Sequence, residues 1–218
     1  MAKKLLTEFI GTFFLVFTIG LVVAANSGTA VIAIGIVLMV MVYMGGHVSG
    51  GHYNPAVSTA ALIAKKMPAK DYGPYVLTQV VGAVLAAFAS YYVVGTSFAP
   101  SPGPSVSMGQ ALVVEILYTL ALALVVLNVA CSKKTEGNSY YGLAIGCTIV
   151  AAAYAGGGVS GGAFNPAVGL GPTIVHAIVG GGSFASVWLY IIGPVVGAVL
   201  AAMVFKVQED EKPVAESA

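Results

Sequence analysis

The stretch VSGGHYNPAV at Val48–Val57 returns as VSGGAFNPAV at Val159–Val168, the copies differing only at His52/Ala163 and Tyr53/Phe164. Asn54 and Asn165 therefore stand 111 residues apart in matched surroundings. In each copy the Asn suits a helix N-cap and the next residue suits the first helical position, where the missing N–H of Pro has no intrahelical partner to lose. Pro55-Ala56 and Pro166-Ala167 are thus the expected starts of two short apolar helices. The preceding Gly50-Gly51 and Gly161-Gly162 permit a tight, extended approach whose carbonyls point away from any helix. From Pro55 to Ala64 is about ten residues, or roughly 15 Å of helix, half the thickness of a bilayer core.

A bilayer is what the composition demands. Hydrophobic residues make up 58% of the 218 and charged residues 8%, with a mean hydropathy of +0.95, which excludes a soluble globular domain. Apolar stretches long enough to cross the membrane occur at approximately 5–25, 30–46, 74–95, 109–131, 140–157 and 184–206. Lys3-Lys4 and the run after them read as the first membrane helix rather than a signal peptide, because the run is long, carries Glu8 and flows into the next span. A net charge of +1 argues against a nucleic-acid partner. Cys131 and Cys147 fit neither a disulfide framework nor metal-ligand spacing and read as small packing residues. No cofactor and no metal are implied.

Every basic residue is a lysine, and with six spans Lys3, Lys4, Lys65, Lys66, Lys70, Lys133, Lys134, Lys206 and Lys212 all fall on one side. The segments opposite, near 25–29, 95–107 and 176–183, carry none, so both termini are expected in the cytoplasm. Tyr91, Tyr92, Tyr140, Tyr141 and Trp188 lie near span ends, where amphipathic rings suit the interface. Two further pairs extend the repeat: Glu8 and Glu115 are 107 residues apart, and VVGAVLAA occurs at Val80–Ala87 and again at Val195–Ala202. The halves, 1–107 and 108–207, are one unit duplicated within a single domain, 1–207, with a disordered tail at 208–218. Three crossings per half turn the second copy upside down, so the short helices enter from opposite faces and meet midway. Backbone left unpaired at that depth is tolerable only if it lines a wet cavity or is buried in protein. Glu8 and Glu115, costly in lipid, are expected to be buried acceptors for loop N–H groups.

These residues resemble the aquaporin and aquaglyceroporin family, the major intrinsic proteins, up to about Val207. The resemblance rests on TEFIGTF at Thr7–Phe13, GHVSGGHYNPAV at Gly46–Val57, Gln79 in the third span, the repeat led by Glu115, and GGAFNPAVGLGP at Gly161–Pro172. It implies an all-α membrane protein with six transmembrane helices plus two half-helices in an inverted three-plus-three repeat, assembled as a homotetramer with one pore per subunit. It also implies passive conduction of water or small uncharged solutes, with Asn54 and Asn165 as pore asparagines donating to the passing molecule. A plasma or inner membrane is the expected location.

One departure stands out. Most members carry Arg after the second Asn-Pro-Ala as part of a narrow filter; here that residue is Val168, and the chain contains no arginine. Carried over by position, the filter is Ile34, Ala153, Gly162 and Val168, apolar and mostly small. A wider, less polar constriction favours glycerol, urea or ammonia besides water, although Gly169 replaces the Asp common in glycerol-conducting relatives. A side chain from Pro100–Pro104 filling the gap would instead restore selectivity. His47 and His52 flank the first Gly pair and read as pore-wall or packing residues rather than a pH gate. A secondary transporter would need an ionisable midplane group, which Asn54 and Asn165 are not; a structural membrane protein differs only in flux; and no constellation suits an enzyme.

Overall fold

The computed structural model describes residues 1–209, so residues 210–218, most of the expected tail, lie outside the described residues. Eight helices follow in order: α1 (Ala2–Ala24), α2 (Ala30–Ser49), α3 (Pro55–Ile63), α4 (Ala69–Val94), α5 (Met108–Val126), α6 (Tyr141–Ser160), α7 (Pro166–Val179) and α8 (Leu189–Glu209). A π turn at Leu127–Cys131 prolongs α5, and a 3-10 turn covers Lys133–Thr135. Six of these helices are long and apolar enough to cross a membrane, α5 counting through Cys131. There is no strand among the described residues.

The structure corrects several boundaries. Gln208 and Glu209 belong to α8 rather than to a tail. The third span begins at Ala69, before the expected 74, because Pro68 in extended conformation (ψ 136°) caps it and Pro74 is tolerated within. The sixth begins at Leu189 rather than 184, since residues 184–188 form turns that hydropathy alone cannot distinguish from helix. The two short helices are unequal: α3 has 9 residues and α7 has 14, the latter about 21 Å at 1.5 Å per residue. Cys147 lies on the exposed face of α6 rather than in the packing.

Helix packing follows a two-fold pattern. α1 packs on α2 and α4, while α5 packs on α6 and α8; α3 leans chiefly on α8, and α7 on α4. Each half-helix is thus held mainly by the opposite repeat. The axis runs through the α2–α6 crossing, where Gly35 meets Gly146. A Cβ on Gly146 would lie 2.5 Å from the Gly35 carbonyl oxygen, and one on Gly35 would lie 2.6 Å from the Gly146 carbonyl oxygen. These glycines are again 111 residues apart. With lipid as apolar as the helices themselves, such close backbone approach is what holds membrane helices together.

Gly146→Val is expected to destabilise the fold by about 1–3 kcal/mol or more through overpacking against backbone. Gly73→Ala, where an added Cβ meets nothing within 4 Å, should be neutral. Thermal unfolding in detergent distinguishes them, and equal behaviour of the two variants would refute the crossing as the tight contact.

Candidate pore

The loops entering α3 and α7 adopt matching left-handed conformations. Gly50, Gly51 and Tyr53 have φ of 95°, 63° and 49°; Gly161, Gly162 and Phe164 have 90°, 66° and 49°. Glycine takes these values freely, but a bulky aromatic does so at a cost on the order of 1–3 kcal/mol. Glu8 supplies the compensation. Its Oε1 accepts from the Ser49 hydroxyl at 2.7 Å and the His52 N–H at 3.0 Å, and its Oε2 from the Tyr53 N–H at 2.7 Å and the Gln79 amide at 2.8 Å. Glu115 repeats this, accepting from Ser160 at 2.7 Å, Ala163 N–H at 3.0 Å and Phe164 N–H at 2.7 Å. Both carboxylates are fully buried. Hydrogen bonds to charged acceptors contribute about 1.5–3 kcal/mol each, enough to outweigh the strain.

Beyond the loops, Asn54 and Asn165 each cap their helix in extended conformation, the side-chain oxygens accepting from Ala56 N–H at 2.8 Å and Ala167 N–H at 2.9 Å. Their amide groups cross-link the repeats: Asn54 Nδ2 donates to the Phe164 carbonyl and Asn165 Nδ2 to the Tyr53 carbonyl, both at 2.9 Å. A carboxamide NH2 has two hydrogens, so one on each Asn is left for whatever occupies the cavity that both line. That cavity has a volume of about 350 Å³ and is otherwise bounded mostly by apolar side chains. A second, of about 900 Å³, lies on the lysine-bearing side, with Lys4, Lys66, Lys133 and Asp71 on its wall. His52 borders both. Two half-helix N-termini converging between them make a positive potential at the midplane.

The family model for the major intrinsic proteins matches residues 1–205. This chain belongs to that family. A glycerol uptake facilitator protein-like 6 from Lactiplantibacillus plantarum is 37% identical over 96% of this chain and 99% of its own length. Aquaporin NIP1-1 from Zea mays is 37% identical over 98% of this chain and 78% of its own, and nodulin-26 from Glycine max 36% over 99% and 81%. Among solved structures, the aquaglyceroporin from Plasmodium falciparum superposes with a TM-score of 0.84 at 25% identity, covering 94% of this chain and 95% of that one. Major intrinsic proteins are channels for water and small solutes such as glycerol; this one is an integral, multi-pass membrane channel and not an enzyme.

Within this major intrinsic protein, Ile34, Ala153, Gly162 and Val168 all lie on the wall of the cavity that the two asparagines share. Pro55, Ala56, Pro166 and Ala167 do not line it; they are buried at the helix starts. His47 is exposed, whereas His52 is buried, its Nδ1 3.0 Å from the Ser58 hydroxyl and its ring edge-to-face with Tyr75. Ser58 in turn accepts from the Gln79 amide at 3.1 Å. This chain has no mirror image: Ala163, Gly169 and Pro194 stand where His52, Ser58 and Gln79 stand in the first repeat. Of these three polar residues only His52 reaches the cavity, so the first repeat places an imidazole on its wall where the second places the Ala163 methyl, with Ser58 and Gln79 buried behind.

Several functional groups escaped the reading of the sequence. Tyr75 and Tyr190 donate to the Ser49 and Ser160 carbonyls at 2.8 and 2.6 Å, and their spacing of 115 matches that of the VVGAVLAA pair. Phe98 and Ala99, from the long loop before α5, also line the central cavity, next to Pro100 and Ser101 of the 100–104 segment already named as a candidate to reach the filter.

Glu8→Gln keeps the volume of the side chain but replaces an acceptor by a donor facing other donors. Loss of a buried charged acceptor of this kind is expected to cost about 3–5 kcal/mol, lowering the unfolding temperature and eliminating flux. A Glu8→Gln protein that unfolds and conducts like the parent would show that the loop does not depend on the carboxylate.

Proposed function

We propose that the protein is a passive, bidirectional facilitator of water and small uncharged solutes, glycerol and urea among them. The observation that carries this reading is the pair of half-engaged Asn amides, Asn54 and Asn165, joined across the repeats at the junction of two half-helices. They are the pore asparagines: each offers one N–H to a passing oxygen. A molecule held by both donors cannot relay a proton along an unbroken chain, and the converging N-termini oppose cations. Ile34, Ala153, Gly162 and Val168 form the filter. With no arginine in it, charge exclusion falls to the helix dipoles, and the constriction is open to solutes larger than water. The name of the L. plantarum relative, glycerol uptake facilitator protein-like 6, supports the solute range.

Glu8 and Glu115 are the anchors of the two loops, and Pro55-Ala56 and Pro166-Ala167 the half-helix starts. The assembly is a homotetramer with one pore per subunit, in the plasma or inner membrane. Both termini lie in the cytoplasm, since the lysines are confined to one side.

In proteoliposomes, stopped-flow light scattering should show shrinkage under an impermeant osmolyte and re-swelling under glycerol and urea both accelerated, with no solute accumulation under an imposed ion gradient. Uphill accumulation would refute a channel. Val168→Arg should reduce glycerol and urea flux more than water flux; an equal loss of all three would refute the filter assignment.

A further inference from the structure

Lys3, Lys4 and Lys70 belong to the starts of α1 and α4, where Lys4 pairs with Asp71 at 3.6 Å. Lys65, Lys66, Lys133 and Lys206 come from three other segments: the end of α3, the turn after α5 and the last turns of α8. All four are exposed and have no ion pair among the described residues. Three contacts gather these segments. Lys66 Nζ stands 5.4 Å over the ring of Phe205, the neighbour of Lys206 in the chain. Lys66 and Lys133 share the wall of the cavity of about 900 Å³, and Lys134 Nζ donates to the Gln208 carbonyl at 3.1 Å. Glu209, which closes α8, accepts from the Ser132 hydroxyl and pairs with none of the four. Like charges held together this way repel, so the cluster is short of an anion.

Its depth in the membrane follows from the half-helix. α3 begins at the paired asparagines, where the two repeats meet, and runs for 9 residues. At 1.5 Å per residue that is about 13–14 Å, close to half of the roughly 30 Å hydrocarbon core. The helix closes through the Lys65 and Lys66 N–H groups, which donate to the Leu62 and Ala61 carbonyls at 3.0 and 2.8 Å, with Lys65 at a left-handed φ of 58°. This turn sets both lysines at the level of phospholipid headgroups, and the Phe205 ring under Lys66 sets Lys206 there too. On either side of Lys206, α8 offers apolar side chains to the surroundings: Met203 is 56% exposed and Val207 76%. An acyl chain lying along Met203 and Val207 ends at the lysines.

We propose that the ends of α3 and α8 form a binding site for the headgroup of an anionic phospholipid. The phosphate lies among Lys65, Lys66 and Lys206, with Lys133 beside it, and the acyl chains follow the exposed apolar face of α8. A free anion would gain the lysines alone, whereas a lipid gains them together with that face. Because Lys66 and Lys133 also line the lysine-side cavity, the bound headgroup offsets positive charge at that mouth. The site does not depend on which solutes the channel carries.

Native mass spectrometry of the intact protein, titrated with phosphatidylglycerol and with phosphatidylcholine of the same acyl chains, tests the site without measuring flux. The parent should bind phosphatidylglycerol more tightly. Lys66→Gln and Lys206→Gln should each weaken that lipid about fivefold, the weight of one lysine near a charged membrane surface, and leave phosphatidylcholine unchanged. Lys3→Gln, which removes the same charge at the start of α1, should leave both lipids unchanged. Equal weakening by Lys3→Gln would reduce the site to the diffuse field of the lysine-bearing side and overturn the inference. Equal affinity of the parent for the two lipids would also overturn it, leaving the cluster to the acidic residues next in the chain, Asp210 and Glu211. Matched unfolding temperatures of the variants in detergent exclude a folding effect.

Discussion

Two buried carboxylates hold this protein in its conducting shape. Glu8 and Glu115 sit on the first helix of each repeat and accept the N–H groups of loops that no helix could satisfy. In lipid an unpaired N–H costs several kcal/mol and so does an unpaired carboxylate. Each is therefore the reason the other can be present. The left-handed φ of Tyr53 and Phe164 follows from the same contact: the chain must turn sharply enough to offer two consecutive N–H groups to one carboxylate. Only after that turn can Asn54 and Asn165 face each other and Pro55 and Pro166 begin their helices.

The duplicated frame carries unequal walls. Both repeats keep the carboxylate, the serine bonded to it, the tyrosine on the serine carbonyl and the capping asparagine. They differ in what surrounds these groups: His52, Ser58 and Gln79 make a continuous polar chain in the first repeat, while Ala163, Gly169 and Pro194 leave the second without one. Packing compensates elsewhere in the same way. Tyr53 fits because Gly11 lies beneath its ring, and the smaller Phe164 meets Tyr118 at the position matching Gly11. A symmetric scaffold thus fixes where the pore runs, and the unpaired substitutions set what its two ends offer.

Much of this was legible in the sequence because duplication turns spacing into structure. The offsets of 107, 111 and 115 between paired landmarks correspond to helices that pack as two-fold mates, and the Asn-Pro-Ala pair marks both half-helix starts. The boundaries at 69 and 189 were not legible, since hydropathy does not separate a turn from a helix in an apolar run. Nor was the cross-linking of each Asn to the other loop, which depends on three-dimensional approach between residues 110 or more apart in the chain. The inward reach of Phe98 and Ala99, just before the 100–104 segment that was expected to approach the filter, was hidden for a different reason: that loop has no counterpart in the other half, so the repeat could not report on it.

Hydrogen–deuterium exchange of the intact protein in nanodiscs tests the carboxylate-held loops most directly. Peptides covering 49–56 and 160–167 lie outside regular helix for most of their length and border a cavity, yet their amides should exchange as slowly as those in the interior of α1 and α5. Fast exchange in either peptide, at the rate of an open surface loop, would contradict the claim that Glu8 and Glu115 fix the pore.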